Sequence, residues 1–149
     1  MKKILFIVTE DWYFVSHRLH LATTAINDGH EVLLLSRMSE YQGLINSLGI
    51  ETIDWPIKRS SRNLLLEFKT IYCIFDVIRN FKPDLVHAVA MKPVFYTALS
   101  SIFINVKGLI FAFGGLGFIF RSHRIVARIL RLFFVPIFRL LLRGKNIRL

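Results

Sequence analysis

The chain of 149 residues has a hydrophobic fraction of 54% and a formal net charge of +10, and Cys73 is its only cysteine. The length indicates one domain that can bury a core, while a single cysteine excludes an intramolecular disulfide and favours a reducing, cytoplasmic location. All ten acidic residues lie at or before Asp84 and are balanced there by ten of the twenty basic residues, so the part after Asp84 carries the whole positive charge. This asymmetry indicates an anionic partner, either nucleic acid or an anionic membrane surface.

Strand and helix patterns alternate along the chain. Continuous apolar runs with β-branched residues predict strands that are covered on both faces, and the segments between them have the apolar spacing of helices. The predicted segments are, in order, a strand at 3–9, a helix at 16–28, a strand at 31–36, a helix at 40–48, a strand at 50–57, a helix at 64–81 and a strand that begins at Asp84. This alternation predicts an α/β fold with a doubly wound parallel sheet.

The connection after the first strand, residues 10–15, is expected to be a loop that carries Trp12. It lacks the glycines that let backbone approach a dinucleotide pyrophosphate, and Glu10 and Asp11 would repel that group. A nicotinamide enzyme is therefore not expected.

The first helix is expected to begin with Ser16 as its N-cap and to end at Gly29. Arg18 near its start can bind an anion beside the helix N-terminus, or it can pair with Glu10 or Asp11. The five histidines have no metal-ligand spacing with the cysteine, so no zinc site and no other metal site is predicted.

The helix at 64–81 is expected to carry large apolar residues on one face. These residues are Leu65, Phe68, Ile71, Tyr72, Phe75 and Ile78.

The stretch from Asp84 to Phe120 organises the rest of the chain. After a buried strand it is expected to form a polar loop with His87 and Lys92, then a helix from Pro93, a second buried strand, and a glycine-rich turn at 114–117. Because strand ends of an open parallel sheet leave a crevice where ligands bind, both connections are candidates for a binding site. His87 and Lys92 can meet a phosphate or a sugar hydroxyl, or they can be a hydrogen-bonded histidine and a solvated lysine. The glycines can admit a ligand or form a turn that requires positive φ.

The last long helix is expected at 123–143, with Pro136 as a kink, Gly144 as its end and a further strand opening at 146–149. A chain that stops within a strand suggests a fragment of a larger protein. Arginines lie along one side of this helix, and apolar residues occupy the others. The residues expected to contact an anionic membrane are Arg124, Arg128, Arg131, Phe134, Arg139 and Arg143. Their alternative role is the solvated face of a core helix. Nucleic acid is not the expected partner, because the arginine stripe has no base-reading residues interleaved with it.

Three segments together resemble the N-terminal half of family 4 glycosyltransferases of the GT-B fold: TEDWYFVSHR, HAVAMKPVFYTALSS and FAFGGLGFIF. The most specific part is His87 followed by Lys92-Pro93, and then Gly115-Leu116-Gly117-Phe118. Members of this family include bacterial enzymes that build capsule, O-antigen and other surface polysaccharides on a polyprenyl-diphosphate lipid.

The resemblance implies two Rossmann-like domains with the active site between them. Residues 1–149 would form a single acceptor-binding domain, and the second domain, which holds the nucleotide-sugar, lies outside this sequence. No metal or other cofactor is implied. Many relatives have a histidine where this chain has Gly114, so no catalytic base is named. By resemblance, the acceptor-side loop contains Ser16, His17 and Arg18, and the cleft rim contains His87, Lys92, Gly114, Gly115 and Gly117.

The resemblance thus implies the acceptor-binding part of a retaining enzyme that moves a hexosyl or N-acetylhexosaminyl group to a lipid-linked saccharide. Its location would be peripheral, at the inner face of the bacterial plasma membrane. One alternative is a stand-alone acceptor subunit that recruits a donor-binding chain. Another is a small integral membrane protein, since residues 93–120 contain one charge, Lys107, and exceed the roughly 20 residues that span a bilayer. The pattern favours a buried helix and strand there.

Overall fold

A computed structural model describes residues 1–57, 64–113, 136 and 147–148 of the chain. Within these residues six strands form one parallel sheet. The strands are β1 (Lys3–Glu10), β2 (Glu31–Arg37), β3 (Glu51–Asp54), β4 (Leu85–Val89), β5 (Gly108–Ala112) and β6 (Ile147–Arg148). The helices are α1 (Asp11–His17), α2 (Leu19–Asn27), α3 (Gln42–Ser47), α4 (Leu64–Phe81) and α5 (Met91–Ser101).

The strand order is β3-β2-β1-β4-β5-β6, and every pair is parallel. This is the order of a doubly wound sheet, in which the chain reverses its direction of progress between β1 and β4. The predicted Rossmann-like fold is confirmed, and a strand at 147–148 pairs with β5 close to the position predicted for it.

Two apolar layers cover the sheet. One contains Leu5 and Ile7 of β1 and is closed by α4 and α5. The other contains Phe6 and Val8 of β1, with Phe14 of α1, and is closed by α1, α2 and α3. Alternate residues of β1 therefore face opposite cores, as a strand buried on both faces requires.

The loop predicted at 10–15 is wrong, because residues 11–17 form helix α1. Phe14 is fully buried, with its ring 5.5 Å from that of Phe6, and this burial favours the helical turn over an open loop. Ser16 is not an N-cap. Its hydroxyl donates to the carbonyl of Trp12 at 2.5 Å within α1, and the helix is interrupted at Arg18 before α2 begins.

The bounds of α4 are confirmed as Leu64–Phe81, but of the large apolar residues named on one face only Ile78 is buried. Leu65, Phe68 and Tyr72 are 80%, 70% and 67% exposed. The buried positions in the described part of the helix are Thr70, Ile74, Val77 and Ile78. The indole of Trp55, the residue after β3, donates to the carbonyl of Thr70 at 3.2 Å, and this contact helps to set the rotation of the helix.

Gly29 and Gly49 end α2 and α3 with φ of +78° and +80°, as predicted. The stretch from residue 93 onward forms the remainder of α5 and then β5, which confirms the predicted helix and strand over the residues described. No helix among residues 1–57 and 64–113 has the length and hydropathy needed to cross a bilayer.

Candidate functional site

The carboxyl ends of β1 and β4 are neighbours, and the helices that follow them leave on opposite faces of the sheet. α1 packs on the face that contains Phe14, whereas α5 packs on the face that contains Val94. In open parallel sheets, a divergence of this kind leaves a crevice between the two connections, and ligands bind there.

His87 lies within β4, and not on the polar loop that the sequence suggested. It aligns with Phe6 of β1 and Ile110 of β5, and its ring centroid is 5.3 Å from that of Phe6. Burial, with a smaller contribution from the charge of Arg18, lowers the pKa of His87 from 6.5 to about 4. The imidazole is therefore neutral near pH 7.

The fold brings Arg18 and His87 together on the face covered by α1 and α2. The Nε of Arg18 and the Nε2 of His87 are both buried without a hydrogen-bond partner among the described residues, while Nη1 of Arg18 donates to the carbonyl of His17 at 2.8 Å. Buried polar atoms are normally paired. The two nitrogens therefore have unused hydrogen-bonding capacity, of the kind with which a neutral imidazole bonds a hydroxyl and a guanidinium an anion.

Ser16 and His17 are exposed on α1 and interact with that helix. Ser16 bonds the carbonyl of Trp12, and the ring of His17 stacks on Tyr13 with centroids 4.2 Å apart. Of the three residues assigned to the acceptor-side loop, Arg18 is the one that interacts with His87.

Lys92 lies in the first turn of α5, on the other face of the sheet from His87. Its Nζ is 2.7 Å from Oε1 of Glu67 in α4. The hydroxyl of Tyr96, one turn further along α5, donates to Oε2 of the same carboxylate. Burial and Glu67 raise the pKa of Tyr96 above its usual value, so this hydroxyl stays protonated. Lys92 was predicted from the sequence as a site residue, whereas Glu67 and Tyr96 were not.

Ala90 joins β4 to α5 with φ +80° and ψ 168°, a conformation normally adopted by glycine. Its N–H donates to the carbonyl of Ala112 at 2.9 Å, which ties the end of β4 to the last residue of β5. The strain thus lies at the carboxyl edge of the sheet, beside Lys92. A sequence pattern gives no signal for it, because alanine is not a residue typical of positive φ.

Asp11 has a structural role at the end of β1. Its fully buried carboxylate accepts hydrogen bonds from the N–H of Trp12 at 2.8 Å, the N–H and hydroxyl of Ser39 at 2.6 and 2.7 Å, and the N–H of Tyr41 at 3.3 Å. Burial acts to raise the pKa of Asp11, but these hydrogen bonds outweigh it and leave the pKa below its usual value. The neighbouring Glu10 pairs with Arg37 at 3.0 Å.

Gly114, Gly115 and Gly117 lie outside the described residues. So do the residues expected to contact a membrane, which are Arg124, Arg128, Arg131, Phe134, Arg139 and Arg143. In the described part of the chain, no three His, Cys, Asp or Glu side chains are grouped to hold a metal ion.

Solved structures share this fold. A glycosyltransferase from Rickettsia africae matches 98% of this chain and 36% of its own, with 18% identity and a TM-score of 0.64. MurG of Acinetobacter baumannii matches 76% of this chain and 35% of its own, with 13% identity and a TM-score of 0.60. A UDP-GlcNAc 2-epimerase of Neisseria meningitidis, bound to UDP-GlcNAc, has 18% identity and a TM-score of 0.51 over 74% of this chain and 31% of its own.

The chain thus spans about a third of the length of these structures. At such identities the likeness shows the fold alone, and no curated protein matches the sequence. The family model described as "Glycosyl transferase 4-like" matches residues 3–147, which is nearly the whole sequence. The chain therefore belongs to the glycosyl transferase 4-like family.

Proposed function

We propose that residues 1–149 form the acceptor-binding N-terminal domain of a retaining GT-B glycosyltransferase. The observation that carries this proposal is the family match over residues 3–147, in a chain about a third as long as the solved structures that share its fold. A second domain would supply the other wall of the cleft and bind the nucleotide-sugar. The chain alone would then be inactive or nearly so.

The proposed donor is a nucleotide-sugar, and the proposed transfer is of a hexosyl or N-acetylhexosaminyl group. The proposal of a nucleotide-sugar donor is supported by two structures with this fold that contain UDP or UDP-GlcNAc. One of them is MnaA of Staphylococcus aureus, at 18% identity. The proposed acceptor is a lipid-linked saccharide of capsule, O-antigen or exopolysaccharide synthesis. No metal or other cofactor is part of the proposal.

Arg18 and His87 are the residues most directly suited to hold the acceptor. The guanidinium of Arg18 would bind a phosphate, and the neutral imidazole of His87 would bond a sugar hydroxyl. Lys92 offers a second cation at the carboxyl edge. Ser16 and His17 would line the outer side of the acceptor loop, and Gly114, Gly115 and Gly117 would form the rim of the cleft.

The proposed location is the inner face of the bacterial plasma membrane, where the acceptor lipid would lie. Its support is the charge asymmetry of the sequence. Arginines of the predicted last helix would meet anionic headgroups, each contributing about 1 kcal/mol near the surface. They are Arg124, Arg128, Arg131, Arg139 and Arg143, with Phe134 beside them.

The test is sugar transfer by the complete enzyme, assayed with uridine and guanosine diphosphate sugars and a polyprenyl-diphosphate saccharide. Arg18→Gln is expected to lower kcat/KM by about ten- to a hundredfold, because hydrogen bonds to charged groups contribute about 1.5–3 kcal/mol. His87→Gln should lower it without an equal loss of Tm. His20→Gln, on the exposed side of α2, is the matched control. Equal kinetics for all three variants would refute the assignment of this face to the acceptor.

A further inference from the structure

The N-terminal parts of α4 and α5 are joined by three side chains, Glu67, Lys92 and Tyr96, which we name the Glu67 cluster. One oxygen of the Glu67 carboxylate is 2.7 Å from the ammonium of Lys92, and the other accepts from the hydroxyl of Tyr96. Lys92 and Tyr96 are four residues apart on α5, so they present both donors on one side of that helix. The carboxylate is fixed at both oxygens and cannot rotate away from Lys92.

The cluster is only partly accessible to solvent. The side chains of Glu67 and Lys92 are 19% and 27% exposed, and Tyr96 is 7% exposed. An ion pair at this depth is screened less than a surface pair. Lys92 nevertheless reaches solvent, and it does so at the carboxyl edge of the sheet, two residues after the strained Ala90.

The placement of Lys92 requires an explanation, because a cation in the first turn of a helix lies at the positive end of the helix dipole. Glu67 offsets this unfavourable position. It also restricts a side chain whose four-carbon stem otherwise has many rotamers. A purely structural tie between α4 and α5 would not require the lysine to reach the edge where the crevice opens.

We propose that Glu67 is a positioning residue that holds the Lys92 ammonium at the crevice for a phosphate oxygen of the substrate, with Tyr96 fixing the orientation of Glu67. This inference rests on the proposed function. The phosphate belongs either to the nucleotide-sugar donor or to the lipid-linked acceptor, and the KM of each substrate distinguishes the two.

The experiment is a double-mutant cycle in the complete enzyme with Glu67→Gln, Lys92→Ala and the double variant. Glu67→Gln should raise the KM of one phosphate-bearing substrate about tenfold, and the double variant should be no worse than Lys92→Ala alone. Tyr96→Phe should have a smaller effect in the same direction. Lys107→Gln is the control, because Lys107 pairs with Asp84 at 2.6 Å at the opposite edge of the sheet and should leave both KM values unchanged.

A lowered Tm with unchanged KM in Glu67→Gln would overturn the positioning role. The role would also be overturned if the KM increases of Glu67→Gln and Lys92→Ala multiply in the double variant. If Lys92→Ala itself leaves transfer unchanged, the substrate contact proposed for Lys92 fails.

If the unaltered enzyme transfers no sugar, the proposed function fails. The positioning role is then tested by measuring acetylation of Lys92 with and without pyrophosphate. Protection by pyrophosphate that is lost in Glu67→Gln supports the role, and equal protection in both proteins refutes it.

Discussion

Protonation of His87 should make the stability of the protein depend on pH between 4 and 6.5. The ring is packed against Phe6 and interacts with Arg18, so burial and the nearby charge lower its pKa from 6.5 to about 4. Above pH 6.5 the imidazole is neutral in the folded and the unfolded states, and the full stability is present. As pH falls from 6.5 towards 4, the unfolded state binds a proton that the folded state does not, so stability is lost. Below pH 4 both states are protonated and the loss is complete.

The size of this effect follows from the two pKa values. Each pKa unit corresponds to about 1.36 kcal/mol, so the unfolded state gains about 2 kcal/mol relative to the folded state on going from pH 7 to pH 5. His87 is only partly buried, and solvent screening reduces the expected loss to between about 1 and 2 kcal/mol.

The assay is urea unfolding at pH 7, 6 and 5, followed by circular dichroism. Comparing the unaltered protein with His87→Phe isolates the contribution of this ring, because phenylalanine fills a similar volume and does not titrate. The unaltered protein should lose about 1–2 kcal/mol more than His87→Phe between pH 7 and pH 5. His20→Gln is the control and should retain the pH dependence of the unaltered protein. Equal pH slopes in the unaltered protein and His87→Phe would refute the assignment of a lowered pKa to His87.

Three further predictions concern other parts of the chain. Asp11→Asn should lower the free energy of unfolding in urea by about 2–4 kcal/mol, because an amide nitrogen then meets buried donors; the exposed Asp28→Asn should change it little, and an equal effect would contradict the role of Asp11. Ala90→Gly should raise the free energy of unfolding by about 1 kcal/mol, since it removes strain that costs about 1–3 kcal/mol but adds backbone entropy to the unfolded chain. The control, Ala25→Gly in α2, should lower the free energy of unfolding. A lower free energy of unfolding in both variants would argue against strain at Ala90. The protein should float with vesicles that contain phosphatidylglycerol at low salt, and less so after Arg124, Arg128 and Arg131 are changed to Glu; equal binding to neutral vesicles would exclude an electrostatic anchor.

The strands were predicted from sequence more accurately than the helix faces, for a physical reason. A strand buried on both faces is an uninterrupted apolar run, so its position can be predicted without deciding which side chains face the core. The bounds of β1 and β2 were therefore predicted to within a residue. Helix α4 has apolar residues on most of its circumference. Periodicity therefore gives its length but not its rotation, which contacts such as that of Trp55 with the Thr70 carbonyl determine. As a result, Phe68 of the apolar face named from the sequence is exposed, whereas Ile74 is buried.

The candidate site was predicted in part. Arg18, His87 and Lys92 were named from their positions near strand ends and from a family resemblance. The partner of Lys92 was not named, because Glu67 precedes it by 25 residues and only the packing of α4 beside α5 brings them together. Helix α1 was missed for a similar reason: Phe14 is buried by a strand residue, Phe6, and no local pattern records that contact.

The two faces of the sheet contribute different chemistry to one crevice. Arg18 and His87 lie on the face covered by α1 and α2, whereas Lys92 lies on the face covered by α4 and α5. One ligand can contact both faces at the carboxyl ends of the neighbouring strands β1 and β4, because the helices that follow them leave on opposite sides of the sheet. A ligand that bonds both His87 and Lys92 must therefore cross the carboxyl ends of these two strands. Its hydroxyl-bearing part would lie towards His87, and an anionic part would lie within reach of Arg18 or Lys92. An extended saccharide phosphate has this combination of groups, while a small neutral metabolite lacks the charge. Substitutions at His87 and at Lys92 should therefore each raise the Kd of the same ligand if one ligand spans both faces, and an effect of only one of them on that Kd would contradict this arrangement.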